Sequence, residues 1–324
     1  MITAVAGGVG AARLLRGLVR VVDPTDVTAV VNTGDDTVLH GLHISPDLDT
    51  VMYTLAGRND EERGWGLAGE TWAVMDALHQ LGGESWFRLG DRDLATHLYR
   101  TQRMSEGAAL SAVTAELAER TGVRVRLLPM TDAAVRTRLV LSESGAEVAF
   151  QEYFVRLRHE VAVRAVRFQG ADLATPGPGV LDAIVQAEVV IVCPSNPVLS
   201  LGPVLAVPDI LDAIRGRRDH VVAVSPIVAG AAIKGPADRL LKELGEEPTA
   251  VGVARRYSSF AGTLVIDEAD AAHAPEIEAL EVRCVVAPTI MHGPEEAARL
   301  AAVVLDAGRH GPGRRSRDHS SRVP

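Results

Sequence analysis

Four aspartates, Asp35, Asp36, Asp47 and Asp49, fall within fifteen residues, directly after the apolar run Thr28 to Val31. Carboxylates a few ångströms apart repel one another, so a chain disperses them unless a cation or strong donors hold them together. Hard oxygen ligands from one or two carboxylates, joined by substrate phosphates, are what Mg²⁺ prefers. Such an ion neutralises the charge that develops in phosphoryl transfer. An N-cap role for Asp47 or Ser45, at the start of the helical run Val51, Met52, Leu55, accounts for one acid and not for four.

Gly7-Gly8-Val9-Gly10 offers a second kind of chemistry. A glycine loop between a strand and a helix lets backbone N–H groups approach phosphate oxygens at the positive end of the helix. Here the pattern runs G-x-G-x-x-R through Arg13, without the third small residue of the dinucleotide fingerprint and without a P-loop lysine. A phosphate-rich or flavin-like ligand near Gly8 and Gly10 is the expectation. Two later loops, Cys193-Pro-Ser195-Asn196-Pro and Ser225-Pro-Ile-Val with Lys234-Gly-Pro, combine small polar side chains with glycine and proline, and suit a nucleotide diphosphate and its base. In Trp86-Phe-Arg88-Leu-Gly-Asp91-Arg92-Asp93, followed by His97, the acids suit a helix start, whereas Arg88, Arg92 and His97 are donors for a phosphate or a polar ring.

The elements that must carry these residues read as α/β. Ile2 to Ala6 is a β-prone run, and Ala11 to Val22 has helical spacing of leucine and valine. Thr28 to Val31 completes a βαβ opening. Uniformly apolar runs at Val189 to Cys193, Val221 to Val224 and Val282 to Val286 extend a mostly parallel Rossmann-like sheet with helices on both faces. Open sheets of this kind bind ligands at the carboxyl edge, where the glycine loop, the Asn32-to-Asp36 stretch and the two later loops fall. Residues 61–164 read as a mainly helical insertion with a small antiparallel hairpin (Val135 to Phe150) that caps the site. The core is then 1–60 with 165–308, and 309–324 is a disordered tail.

With 324 residues, 47% hydrophobic and 23% charged, the chain is long enough for one large α/β domain carrying an insertion. A net charge of -9 argues against a nucleic-acid partner. No stretch is apolar for long enough to span a bilayer and no basic n-region opens the chain, so no membrane partner and a cytoplasmic location are expected. Cys193 and Cys284, each in an apolar run, read as buried reduced thiols.

Several of these stretches also carry a family resemblance. Val-Val-Asn32-Thr33-Gly-Asp-Asp with His40-Gly, Ser45-Pro-Asp-Leu-Asp-Thr-Val, Gly64-Trp-Gly, Leu89-Gly-Asp-Arg-Asp-Leu-Ala-Thr-His, Leu128-Pro-Met-Thr-Asp, Phe150-Gln-Glu-Tyr-Phe-Val, Cys-Pro-Ser-Asn-Pro-Val and Val-Ser-Pro-Ile-Val resemble the 2-phospho-L-lactate transferase family. This family (CofD, called FbiA in actinobacteria) acts in coenzyme F420 biosynthesis. The resemblance runs from Met1 to about Leu305. It implies a Mg²⁺-dependent transferase, a homodimer, that moves a phospho-acid from its guanosine diphosphate ester to the ribityl hydroxyl of the deazaflavin Fo and releases GMP. Asp49 and Arg88 match residues that contact Fo, with Asn32, Thr33 and His97 beside them. Asp35 and Asp36, with Ser195, Asn196, Ser225 and Lys234, match the metal and GDP region. The opening Gly-Gly-Val-Gly-Ala-Ala-Arg looks like the actinobacterial branch, which implies phosphoenolpyruvate as the donor acid and leaves phospholactate as the other option.

The attacking hydroxyl needs positioned phosphate oxygens and a carboxylate to accept its proton. Asp35, Asp36 and Asp49 are therefore the expected catalytic residues, and Asp35, Asp36 and Asp47 the expected metal ligands. Two other readings stand beside this one. A non-catalytic nucleotide-sugar-binding regulator similar to YvcK-type proteins shares the glycine loop but not the Asp47/Asp49 segment. A nicotinamide-dependent oxidoreductase lacks its acidic residue at the end of the second strand, where Asn32 stands.

Overall fold

A computed structural model describes residues 1–311. Its strands in chain order are β1 (Ile2–Ala6), β2 (Val27–Val31), the hairpin β3 (Thr37–Leu39) and β4 (Leu42–Ile44), β5 (Arg126–Pro129), β6 (Arg136–Leu141), β7 (Glu147–Ala149), β8 (Val163–Gln169), β9 (Val189–Val192), β10 (Val221–Val224), the ribbon β11 (Ile227–Val228) and β12 (Ala231–Ala232), β13 (Thr263–Ile266) and β14 (Arg283–Val286). Seven of them form one sheet in the order β14-β13-β10-β9-β1-β2-β5, with every pairing parallel. The expected α/β architecture, a Rossmann-like parallel sheet with helices on both faces, is thus present. Chain direction across the sheet reverses between β1 and β9, and at such a reversal the loops diverge and leave a crevice at the carboxyl edge.

Strand residues alternate between two cores, as the pleat requires. Val5, Val30, Val190, Val192 and Leu264 face one side, with Leu139, Tyr153 and Ile184. Ala4, Ala6, Val31, Ile191 and Val224 face the other, where α1 (Val9–Leu18), α2 (Pro46–Leu55) and the C-terminal helix Pro294–Arg309 cover them. Burial on both faces is why these strands read as continuous apolar runs. Gly17 matters on the helical side, because a Cβ there would run into the backbone of Ala297 and push α1 off its neighbour.

Two sheet strands escape the sequence reading. β13 is as apolar as its neighbours, while β5 begins with exposed Arg126 and ends in proline, a pattern tolerated because it is an edge strand. β5 also comes from inside the 61–164 segment. The chain reaches it through α3 (Ala73–Gln80), α4 (Asp93–Ser105) and α5 (Leu110–Thr121), and Leu110, Val113 and Leu117 of α5 pack on the sheet. The expected hairpin is β6–β7, and β8 joins it in a three-stranded antiparallel sheet, β7-β6-β8.

The last helix runs to Arg309, inside the segment expected to be a disordered tail, and residues 312–324 lie outside the described ones. No helix among the described residues is long and apolar enough to cross a membrane. Both cysteines are free thiols, and burial raises Cys193 to a pKa of about 12.

Candidate active site

The glycine loop leaves β1 at the sheet reversal and is fitted to its neighbours by the absence of side chains. A Cβ on Gly8 would collide with Oδ1 of Asp47, and one on Gly10 with the Pro194 carbonyl. Gly10 is therefore a packing requirement, whereas Gly8 holds the loop directly against an acid. Ser195, at the end of β9, accepts a hydrogen bond from the Gly7 N–H at 3.2 Å and ties the two central loops together.

Three of the four expected aspartates gather beside this loop. Asn32, the residue after β2, donates from Nδ2 to Asp35 at 3.1 Å and to Asp47 at 3.0 Å, while its Oδ1 accepts from the Gly34 N–H. Ser45 donates to Asp36 at 2.8 Å, so it serves the acid and makes no side-chain cap on α2. Asp36 Oδ1 is buried and has no partner, and the same holds for the hydroxyls of Thr33 and Thr137 around Gly34. Glycine is needed at 34, since a Cβ would lie 2.5 Å from Pro203 and 2.9 Å from the Thr137 hydroxyl. Gln151 fixes the loop from the far side by donating to the Asp35 carbonyl at 3.0 Å.

None of these three carboxylates has an ion pair among the described residues, and the consequence is electrostatic. Burial pushes Asp36 up to about 7, although Ser45 and the charge of Arg136 work the other way. Burial likewise raises Asp47 to about 6, with the Asn32 hydrogen bond opposing. Asp35 is driven well above the usual carboxylate range by burial first and then by the charges of Asp47 and Asp36. Buried acids that resist ionisation without a counter-charge, one of them with an unpartnered oxygen, are groups that a hard divalent cation would stabilise in their charged form.

Asp49 is placed differently. Its carboxylate meets the buried guanidinium of Arg100 with both oxygens, Nη1 donating to Oδ2 at 3.1 Å and Nη2 to Oδ1. His97 Nδ1 stands 3.7 Å from the same carboxylate, and His97 Nε2 lies 3.3 Å from Asp93, which accepts from the Tyr53 hydroxyl at 2.6 Å. Burial opposes ionisation of Asp93, but His97, Tyr53 and Arg100 outweigh it and hold its pKa low. Ligand atoms of Asp49, Asp93 and His97 all lie within 4.8 Å of one another. Geometrically they suit a metal, yet Arg100 already neutralises Asp49 and would face any incoming cation. The expected ligands Asp35, Asp36 and Asp47 do not form such a group among the described residues; what sets them apart is that no ion pair neutralises them.

Other expected residues lie further out. Arg88 is half-exposed, pairs with Asp76 at 3.0 Å and stacks over Trp72, and among the described residues it makes no hydrogen bond or ion pair to Asp35, Asp36, Asp47 or Asp49. Asn196 uses its Oδ1 to accept from the Val198 and Leu199 N–H groups, and Ser225 bonds within its own turn to Ile227. Lys234 donates to the Arg63 carbonyl at 3.3 Å and comes up against Gly64.

Residues 2–288 match the family described as 2-phospho-L-lactate transferase CofD. The chain belongs to that family. Among curated CofD relatives, a phosphoenolpyruvate transferase of Kitasatospora aureofaciens is 46% identical over 318 residues, covering 96% of this chain and 99% of that one. The phosphoenolpyruvate transferase of Mycolicibacterium smegmatis is 42% identical and covers 94% of this chain and 98% of its own. A crystal structure of a UPF0052 family member from Bacillus halodurans has a TM-score of 0.60 at 17% identity, covering 94% of this chain and 98% of that one, which shows a shared fold alone.

For this CofD-family chain, sequence reasoning missed Arg100, Tyr53 and Gln151, and read Asp93 only as a helix-start acid. One signal was available. Asp93, His97 and Arg100 are spaced i, i+4 and i+7, which places them on one face of α4.

Proposed function

We propose that the chain transfers a phospho-acid from its guanosine diphosphate ester to the ribityl hydroxyl of the deazaflavin Fo, releasing GMP in coenzyme F420 biosynthesis. Phosphoenolpyruvate is the acid this reading favours, since the relatives at 42–47% identity carry that name. The observation that carries it is the buried, unpaired set Asp35, Asp36 and Asp47, with Asp47 against Gly8, at the sheet reversal. Acids so placed, at the cost of their own ionisation, are arranged for a cation and a phosphate and not for stability. A cytoplasmic homodimer belongs to the same proposal.

In this reading Asp35, Asp36 and Asp47 would supply the carboxylate oxygens for Mg²⁺, which when bound would draw charge from the phosphate oxygens of the donor. The glycine loop lays its N–H groups along the pyrophosphate. Asp36, with its unpartnered Oδ1, is placed to receive the proton of the attacking hydroxyl. Asp49 and His97, locked by Arg100 and Asp93, form the rigid wall on which the acceptor is positioned, and Arg88 with Trp72 offers a flat, cationic surface further out.

The purified protein incubated with Fo, Mg²⁺ and either guanylated phosphoenolpyruvate or guanylated phospholactate, followed by mass analysis, decides the matter. Product mass identifies both acceptor and acid. No GMP and no new deazaflavin product from either donor would end this reading and favour a nucleotide-binding regulator.

A further inference from the structure

We propose that Arg13 and Lys234 form an oxyanion seat for the donor, gripping one of its phosphate or carboxylate groups beside the glycine loop. This rests on the transferase reading above and adds to it a residue, Arg13, outside the expected site.

Arg13 projects from the second turn of α1 into a cavity of about 40 Å³ that it shares with Val9, Gly64 and His292. Lys234, from the loop after β12, comes up against Gly64, one of the residues lining this cavity. Its Nζ donates to the Arg63 carbonyl and occupies the space a side chain on Gly64 would need, and Gly64 has φ +79°. Neither cation has a carboxylate partner among the described residues, and each makes a single long hydrogen bond to a carbonyl, Arg13 to Met291 at 3.4 Å and Lys234 at 3.3 Å. The acid in the cavity, Glu61, is taken by Arg16. Burial, and then the charge of Arg13, lowers the pKa of Lys234, so the two cations feel each other without a counter-ion.

Location gives this pair its meaning. Asp47 touches Gly8, and Val9, the next residue, packs toward Gly64 beside Lys234. Acids, glycine loop and cations therefore follow one another along a few residues. A pyrophosphate ester lying on the loop would meet Asp47 at Gly8 and, beside Val9 and Gly64, the two unpaired cations. Two cations left unpaired do nothing for the free protein, whereas an anion between them satisfies both.

Arg13→Gln and Lys234→Gln, on separate elements, test the seat. Each variant should raise the KM for the guanylated donor by about tenfold or more, the scale of a lost charge-assisted hydrogen bond, with the KM for Fo unchanged. Arg13→Lys should recover part of the loss. Binding of GDP, inorganic pyrophosphate and phosphoenolpyruvate to the Mg²⁺-loaded parent and variants, measured by calorimetry, locates the group. Weakened GDP and pyrophosphate binding assigns a nucleotide phosphate, and weakened phosphoenolpyruvate binding alone assigns the acid. If all three bind both variants as they bind the parent and the donor KM does not move, the seat is refuted. The calorimetry stands even if no transfer occurs, so failure of the transferase reading is seen separately.

Discussion

Arg100 and Asp49 meet through both nitrogens and both oxygens, with the side chains only 2% and 6% exposed. This pair ties α4 to the first turn of α2, the turn that also carries Asp47. Removing one partner leaves the other charged and buried. Arg100→Ala should therefore cost about 3–5 kcal/mol of stability, and Arg100→Lys less, because it keeps the charge but loses the fork. Urea denaturation reads both, and equal stability for all three proteins would contradict the buried-pair account.

Asp36 should show the opposite balance. Asp36→Asn removes a charge the protein has no partner for, so the metal-free variant should be at least as stable as the parent at pH 8. Its transfer rate should fall by about 100-fold or more, the scale of losing one preorganised electrostatic group. Thermal melts and single-turnover rates on the same preparation check the pair of outcomes.

The raised pKa values predict a pH dependence of defined sign. In the metal-free protein Asp36 and Asp47 titrate near 7 and 6, against an ordinary value of 3.8. Between those limits the folded state binds more protons than the unfolded chain, so their contribution to stability is full in acid and is lost as pH rises through 6 to 7. The melting temperature of the metal-free parent should drop across this window more than that of the Asp36→Asn, Asp47→Asn double variant. Added Mg²⁺ should stabilise the parent more at pH 8 than at pH 5 and do little for the double variant. A shift of equal size at both pH values would count against these ligands.

Gly8 and Gly10 should separate function from packing. Alanine at 8 collides with a side chain, Asp47, which can move but then leaves its place in the site; alanine at 10 collides with the Pro194 backbone, which cannot move without β9. Gly10→Ala should lose about 1–3 kcal/mol, the range for overpacking. Gly8→Ala should lose little stability and most of its Mg²⁺ affinity. Melting curves with and without the ion distinguish the two.

How far the sequence carried the reading differs from element to element. β1, β2, β9 and β10 were legible because burial on both faces leaves unbroken apolar runs. β5 was not, since an edge strand bearing Arg126 and Pro129 lacks that signature and its place comes from pairing with a strand about a hundred residues earlier. The aspartates were visible as a crowd of like charges, but their division into an unpaired trio and a neutralised fourth was not. That division depends on Arg100, which lies 51 residues from Asp49 in the chain.

The sequence by itself determined the sheet-forming runs, the glycine loop and the concentration of acids, because each is a local matter of residue type and spacing. Tertiary structure alone decided which acids receive a counter-charge, and set Asp47 against Gly8 and Lys234 beside Gly64. Electrostatic energy depends on distance through space and on burial, and neither is a property of any single stretch of chain.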